Sequence, residues 1–315
     1  MSPPTSRPCL LSPRSQVDRH AQRTLALRRA RQDISAVLRS SFLLLLTPLW
    51  ITSCATKPQP DLQSASTPQS QPPLAGESRT DSRELEPRDD RALTNTGFGR
   101  QVLNGIRIEA VVYDSRTHSL LLADQPDGPG SLWATAKAAG QAHQGLAAIN
   151  AGFFTAEGEP LGLVITKGTT SGAMNRSSSL GSGFFVQSPD AKPKLIRREQ
   201  YQGASLALQS GPFLLESGTK VSGLSPKSST ARSFIATDGG YGWIFARTGP
   251  CSLDQLAAAL RGQSILGIPV HTALNLDGGR SSELWVSGQI NGGPAQTRPL
   301  WNKPVRNFLI LQPQR

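Results

Sequence analysis

The stretch Ala273–Val286, ALNLDGGRSSELWV, decides how this chain is read. Side chains on a strand point alternately to opposite faces. Leu274 and Leu276 therefore share one face, and Asn275 and Asp277 share the other. The strand ends by presenting two polar groups on the same side. Gly278 and Gly279 permit turn conformations closed to other residues and let a ligand approach the backbone. The amides of Gly279, Arg280 and Ser281 are expected to form a small anion-binding nest. Arg280 adds a planar cation suited to phosphate, and Ser281 and Ser282 add hydroxyls. The plainer alternative is an Asp-Gly-Gly turn joining two strands, and local chemistry alone favours it.

Three other stretches shift that balance. AAINAGFFTAEGEPLGLVITKG, Ala147–Gly168, is a second apolar strand that ends in a polar residue, Asn150. LALQSGPFLLESG, Leu206–Gly218, breaks an apolar run with Ser210-Gly211-Pro212. In STARSFIATDGGYGWIFARTG, Ser229–Gly249, Arg232 opens a strand that is otherwise mostly apolar. Taken singly, Asn150 reads as a turn former and Arg232 as a surface charge. Taken together, the blocks Asn150–Phe154, Pro160–Gly162, Ser210–Pro212, Ala231–Ser233, Ser252–Leu253 and Leu274–Ser282 occur in one order. In that order the chain resembles the phosphodiester glycosidase domain family. The closing pair Arg306-Asn307 fits as well, and the resemblance covers nearly all of residues 105–311. Two positions depart from it. Thr155 stands where members often carry an acid, and Ala236 stands where many have glycine.

The resemblance implies hydrolysis of a sugar's bond to a phosphodiester oxygen, the sugar being of N-acetylglucosamine type or related. Ordinary glycosidases use two carboxyl groups, one of them to protonate a poor leaving group. A departing phosphate is already a stable anion, so one carboxylate with nearby cations suffices. On this reading Asp277 is the catalytic base or nucleophile. Arg232, Arg280 and Arg306 hold phosphate through charge-assisted hydrogen bonds. Asn150 and Asn275 position sugar hydroxyls, and Ser210, Ser281 and Ser282, with Gly278 and Gly279, contact phosphate or sugar. Glu157 and Glu159 are substitutes for the acid missing at Thr155, and Glu283 on the next strand is a further carboxylate. No metal or other cofactor is expected, because the four histidines, His20, His118, His143 and His271, are scattered. A Ca²⁺ or Mg²⁺ site using Asp277 is the alternative. Three rival functions remain: a non-catalytic carbohydrate- or phosphosugar-binding lipoprotein, a metal-dependent phosphodiesterase, and a structural envelope lipoprotein with no small ligand.

The flanks define the organisation of the 315-residue chain. RSSFLLLLTPLWITSC, residues 39–54, places an arginine before a short apolar run and ends in Ile51-Thr52-Ser53-Cys54, which resembles a bacterial lipobox. The run is too short to span a bilayer as a helix. Residues 1–53 read as a signal region, with a true start near Val37, and Cys54 as the lipidation site. The expectation is an exported bacterial lipoprotein held on a membrane surface in the cell envelope. Residues 54–96, rich in Pro, Gln and Ser, read as a disordered tether. The first 53 residues hold eight arginines against two aspartates, +6 of the net +11, so the charge does not mark a nucleic-acid partner. Cys251 is then the only cysteine of the mature domain apart from Cys54, and it reads as a small packed thiol.

Residues 97–315 read as one α+β domain, with a mixed, mostly antiparallel sheet and few helices. Alternating apolar runs predict strands over 106–113, 119–123, 146–150, 161–165, 183–187, 205–209, 233–236, 243–247, 272–276, 283–286 and 305–311. An alanine-rich helix is predicted over 132–143. A second is predicted after Ser252, where Ser252-Leu253-Asp254-Gln255 matches a capping box. There Leu253, Leu256, Ala257 and Leu260 form one apolar stripe, and Gly262 ends it.

Overall fold

The computed structural model describes residues 96–189 and 191–314. The signal region, Cys54 and nearly all of the tether lie outside the described residues. Among those described, every strand ladder is antiparallel, and the strands form three large sheets and one short ribbon. This corrects the expectation of one mixed sheet.

The central sheet has seven strands in the order Gly97–Leu103, Ile106–Asp114, Gly242–Thr248, Ser233–Thr237, Thr272–Asn275, Phe213–Glu216 and Thr219–Lys220. A second sheet orders Ala295–Thr297, Leu284–Val286, Ala147–Asn150, Asn307–Pro313 and His118–Asp124. The third orders Thr169–Ser171, Val164–Thr166, Leu206–Ser210, Gly183–Ser188 and Ala191–Arg197. Period-2 alternation builds the layers. From the central sheet Val111, Tyr113, Ile235, Trp243, Phe245 and Leu274 enter one core. Ile149, Leu284 and Leu309 of the second sheet and Phe185 and Leu208 of the third meet them there. The residues between, such as Val112, Phe234, Ile244 and Ala273, face the opposite core under the helix Leu253–Leu260. The second sheet is covered on its outer face by the helix Ala136–Ala142, where Ala148, Trp285, Phe308 and Ile310 pack.

The longer helix begins where the capping box places it. The Ser252 hydroxyl accepts from the Gln255 amide at 3.1 Å, and the Gln255 side-chain oxygen accepts from the Ser252 amide at 2.9 Å. Such a cap contributes about 1 kcal/mol. The alanine-rich helix is shorter than the sequence predicts. It starts at Ala136 because Thr135 caps Ala138. The amides of Leu132 and Trp133 instead donate to the buried Gln125 side chain, each at 2.8 Å. Gly140 permits this helix to lie against Trp285, since a Cβ there would come within 2.3 Å of the indole.

Five strands of three or more residues escape the sequence reading: Gly97–Leu103, Thr169–Ser171, Ala191–Arg197, Phe213–Glu216 and Ala295–Thr297. Four of them are edge strands with at least one face exposed, so they lack the strong alternation that a half-buried strand shows. Phe213–Glu216 is masked differently: its FLLE run follows Gly211-Pro212 and reads as a continuation of an interrupted segment. No helix among the described residues is long and apolar enough to cross a membrane.

Candidate active site

The ordered sequence blocks, far apart along the chain, meet at one junction of the three sheets. Asn150 is its hub. Its Nδ2 donates to the Asp277 carbonyl at 2.7 Å, while its Oδ1 accepts from the Ser233 hydroxyl at 2.7 Å and the Glu283 amide at 3.1 Å. The Ser233 and Ser282 hydroxyls lie 3.1 Å apart. The Ser210 hydroxyl donates to the Asn275 carbonyl at 2.9 Å, and Asn275 Nδ2 donates to the Gly211 carbonyl at 2.9 Å. The Asp277 amide donates to the Ala151 carbonyl, and the Ala151 amide donates to the Asn307 carbonyl. The Asn307 side chain in turn accepts from the Gly152 amide at 2.8 Å. These bonds link largely buried groups, and removing one partner leaves the other unsatisfied.

This network corrects several sequence assignments. Asn150, Ser210, Asn275 and Ser282 are at most 2% exposed and bind one another or nearby backbone. They position the turn and do not form its surface. Arg306 is equally buried. Its Nε and Nη2 pair with the Asp124 carboxylate at 3.0 and 3.1 Å, and its Nη1 donates to the Gly158 carbonyl at 2.9 Å. The guanidinium serves an internal ion pair at the neighbouring strand ends. The expected nest is also absent in the form predicted. Gly279–Ser281 is a turn of 3-10 helix, in which the Ser281 amide donates to the Gly278 carbonyl and the Gly279 amide to the Ala231 carbonyl. The Gly278 amide donates to the Asp277 carboxylate itself at 2.8 Å. The amides meant for an external anion are largely engaged within the turn. Gly279 is required there by its positive φ of 61°.

Asp277, Gly278, Gly279 and Ser281 are partly exposed in the turn, and Arg280 is exposed. Burial raises the Asp277 carboxyl to about 6, against smaller opposing effects of hydrogen bonds from the Ser281 side chain and the Gly278 amide. These two donors also fix its orientation. Half-buried Arg232 crosses the turn: its Cδ lies 3.7 Å from where a Gly278 Cβ would sit. Its Nε donates to the Cys251 carbonyl at 3.1 Å, and its Nη2 donates to the Ser228 carbonyl. Burial lowers its pKa. Cys251 is the packed thiol expected, buried beside the Thr248 hydroxyl.

The remaining carboxylates are directed elsewhere. Thr155 organises its own turn, accepting from the amides of Glu157 and Glu159, and both glutamates are exposed. Glu283 points into the helix layer, where it pairs with Arg298 at 3.0 Å. Burial raises it to about 7, with Arg298 and the Ala136 amide opposing. Among the described residues, no three His, Cys, Asp or Glu side chains gather as a metal site.

Sequence reasoning missed the loop that frames the turn. Arg298 pairs with Glu283, Asn302 Nδ2 donates to the Ser282 carbonyl at 2.8 Å, and Arg280 Nε donates to the Trp301 carbonyl at 3.0 Å. The loop holds Leu300 and Trp301 in solvent, the indole 67% exposed. A lone Trp in an irregular polar segment was the only signal. Arg247 was missed too. It follows Phe245 on the inward face of an apolar strand, and its Nε donates to the Ser282 carbonyl at 3.2 Å.

A β-layered domain with a carboxylate on a glycine turn, set at a junction of buried asparagines and serines, defines a class of small-ligand site. Residues 143–312 match the model of the phosphodiester glycosidase family, and the chain belongs to that family. Among solved structures, the catalytic domain of zebrafish N-acetylglucosamine-1-phosphodiester alpha-N-acetylglucosaminidase, auto-inhibited by its pro-peptide, shares the fold. The TM-score is 0.50 at 18% identity, over 70% of this chain and 83% of that one. A hypothetical protein from Synechocystis aligns with a TM-score of 0.47 at 17% identity, over 68% of this chain and 61% of that one. No curated protein matches the chain.

Proposed function

We propose that this protein hydrolyses the glycosidic bond of a sugar-1-phosphodiester, of N-acetylglucosamine type or related, with Asp277 as the reacting carboxylate. The observation that carries the proposal is the state of Asp277. It is the accessible carboxylate of the family's glycine turn, oriented by two donors and raised to about 6. At neutral pH it is mostly ionised yet poorly solvated, which suits a base or nucleophile. As base, it takes a proton from water whose oxygen attacks the anomeric carbon. As nucleophile, it bonds to that carbon first. In both cases the bond to the phosphodiester oxygen breaks, and its electron pair leaves with the phosphate. We assign stabilisation of that charge to Arg232, packed against the turn, and exposed Arg280 within it, with Ser281 and the glycines beside them. Exposed Trp301 offers an indole face to a sugar ring. The setting we propose is an exported protein anchored through Cys54, which the lipobox-like sequence supports.

The test is incubation with a panel of sugar-1-phosphodiesters, including UDP-N-acetylglucosamine, with Asp277→Asn as control. Sugar release lost in the variant supports the proposal. Binding without turnover identifies the protein as a phosphosugar-binding module. In ¹⁸O water, label on the phosphate and none on the sugar would identify a phosphodiesterase instead. The anomeric configuration of the released sugar separates base from nucleophile.

A further inference from the structure

A second charged site lies on the same rim of the central sheet as Asp277. The register shows this. Leu276, just before Asp277, donates its amide to the Ser233 carbonyl. Ser233 pairs with Arg247, Arg247 with Glu109, and Glu109 with Arg100. These residues form one rung across the inward face of the sheet, the face that carries Val111, Ile235, Phe245 and Leu274 into the core. Beyond the end of that core, the rung turns polar. Arg100, Arg107, Glu109 and Arg247, with Val102 and Ile108, line a cleft of about 320 Å³.

Its electrostatics are unbalanced. Glu109 is the single carboxylate among three guanidiniums. It accepts from Arg100 Nε at 2.9 Å and lies 3.7 Å from Arg247 Nη1. Glu109 Oε2 is buried without a hydrogen-bond partner. Arg247 is pushed down first by burial, with Glu109 opposing, and then by the like charge of Arg107. Two cations thus face one cleft beyond what Glu109 neutralises, which is the arrangement of a site for an anion. Neighbouring strands lie about 4.8 Å apart, so Arg247, two strands from Asp277, is about 10 Å away along the sheet. Arg247 also touches the Ser282 carbonyl, so the cleft and the turn share a wall.

We infer that the Arg100–Arg107–Arg247 cleft binds a second anionic group of the substrate, a phosphate or carboxylate roughly 10 to 20 Å from the scissile bond, the span from Arg247, two strands from Asp277, to Arg100, four strands away. The substrate class is then a glycosyl phosphodiester whose leaving part is itself charged, such as a chain of phosphodiester-linked sugars. This inference rests on the phosphodiester reading of Asp277. The apolar side chain of Val102 lines the same cleft against the uncharged link.

The test uses the full chain and two probes: N-acetylglucosamine 1-(methyl phosphate), and the same sugar phosphate with a leaving part that ends in a second phosphate two to three sugar units away. The wild type is expected to favour the doubly charged probe at least tenfold in kcat/KM, through KM, with a preference that shrinks in high salt. Arg107→Gln, alone and with Arg100→Gln, is expected to erase the preference while leaving the methyl phosphodiester within twofold. Equal kcat/KM for the two probes in the wild type, or equal losses on both in the variants, overturns the inference and leaves the role of Asp277 standing. If neither probe is hydrolysed, the proposed function fails. Calorimetric binding of the doubly charged probe then decides the cleft separately. Binding at least tenfold weaker in Arg100→Gln/Arg107→Gln supports it, and unchanged binding overturns it.

Discussion

Replacing Asp277 by asparagine is expected to stabilise the fold at neutral pH while abolishing turnover. Burial raises the Asp277 carboxyl from 3.8 to about 6. The native state therefore binds this proton more tightly than the unfolded chain does. At low pH the acid is neutral in both states and imposes no cost. As pH rises through the interval between the two pKa values, the unfolded state ionises first, and wild-type stability falls. A tenfold difference in proton affinity corresponds to about 1.4 kcal/mol, so the full cost is about 3 kcal/mol at pH 8. Linkage makes it about 1.5 kcal/mol at pH 5 and about 0.5 kcal/mol at pH 4. The asparagine carries no charge and still offers an oxygen to the Gly278 amide, so the variant escapes this cost. The assay is urea denaturation of wild type and variant at pH 4, 5 and 8, with the midpoint difference multiplied by a common slope. Other titrating groups are shared and cancel in the difference. A stability gap that does not grow with pH, or a variant less stable than wild type at pH 8, would refute the reasoning.

Further outcomes follow from the same geometry. If the ionised Asp277 reacts, kcat/KM for a sugar-1-phosphodiester should fall about tenfold per pH unit below an apparent pKa near 6, as a pH–rate profile will show. Asn150→Ala removes the side-chain partners of the Glu283 amide and the Asp277 carbonyl and one partner of the Ser233 hydroxyl; a loss of about 3 kcal/mol by urea denaturation is expected, with activity falling as the turn loses its anchor. Arg306→Ala strands the Asp124 carboxylate in a buried setting and should cost about 3 to 5 kcal/mol, again read by denaturation. Ser252→Ala removes a helix cap and should cost about 1 kcal/mol by urea denaturation.

Much of the scaffold was legible because its signals are local. Alternation in Thr272–Asn275 correctly sends Leu274 and Leu276 into one core. Ser252 and Gln255 cap each other as their spacing predicts, since both partners lie within one turn. The alanine-rich helix is shorter than predicted because its true start depends on Gln125, which claims the Leu132 and Trp133 amides from the end of the preceding strand. Helical composition alone contains no trace of that competition. Likewise, residues 97–124 lie before the family match, yet their strands complete two of the sheets.

The division at the site has the same physical origin. Residue type, strand alternation and the order of blocks are properties of the chain, and they suffice to mark which blocks converge in the fold. Which polar residues face a ligand, and which face each other, is settled by folding alone. Asn150, Ser210, Asn275, Ser282 and Arg306 are chemically able to bind a sugar phosphate, and nothing in their local sequence distinguishes them from Arg232 or Ser281. Their burial does, because a polar group removed from water must find its partners inside the protein. Here, apart from Asn275 Oδ1, which has no partner, they bind one another or other internal groups, across separations of up to 182 residues, around a partly exposed Asp277. The Arg100–Arg107–Arg247 cleft emerges in the same way, from strand register that brings Glu109 and Arg247, far apart along the chain, onto one rung.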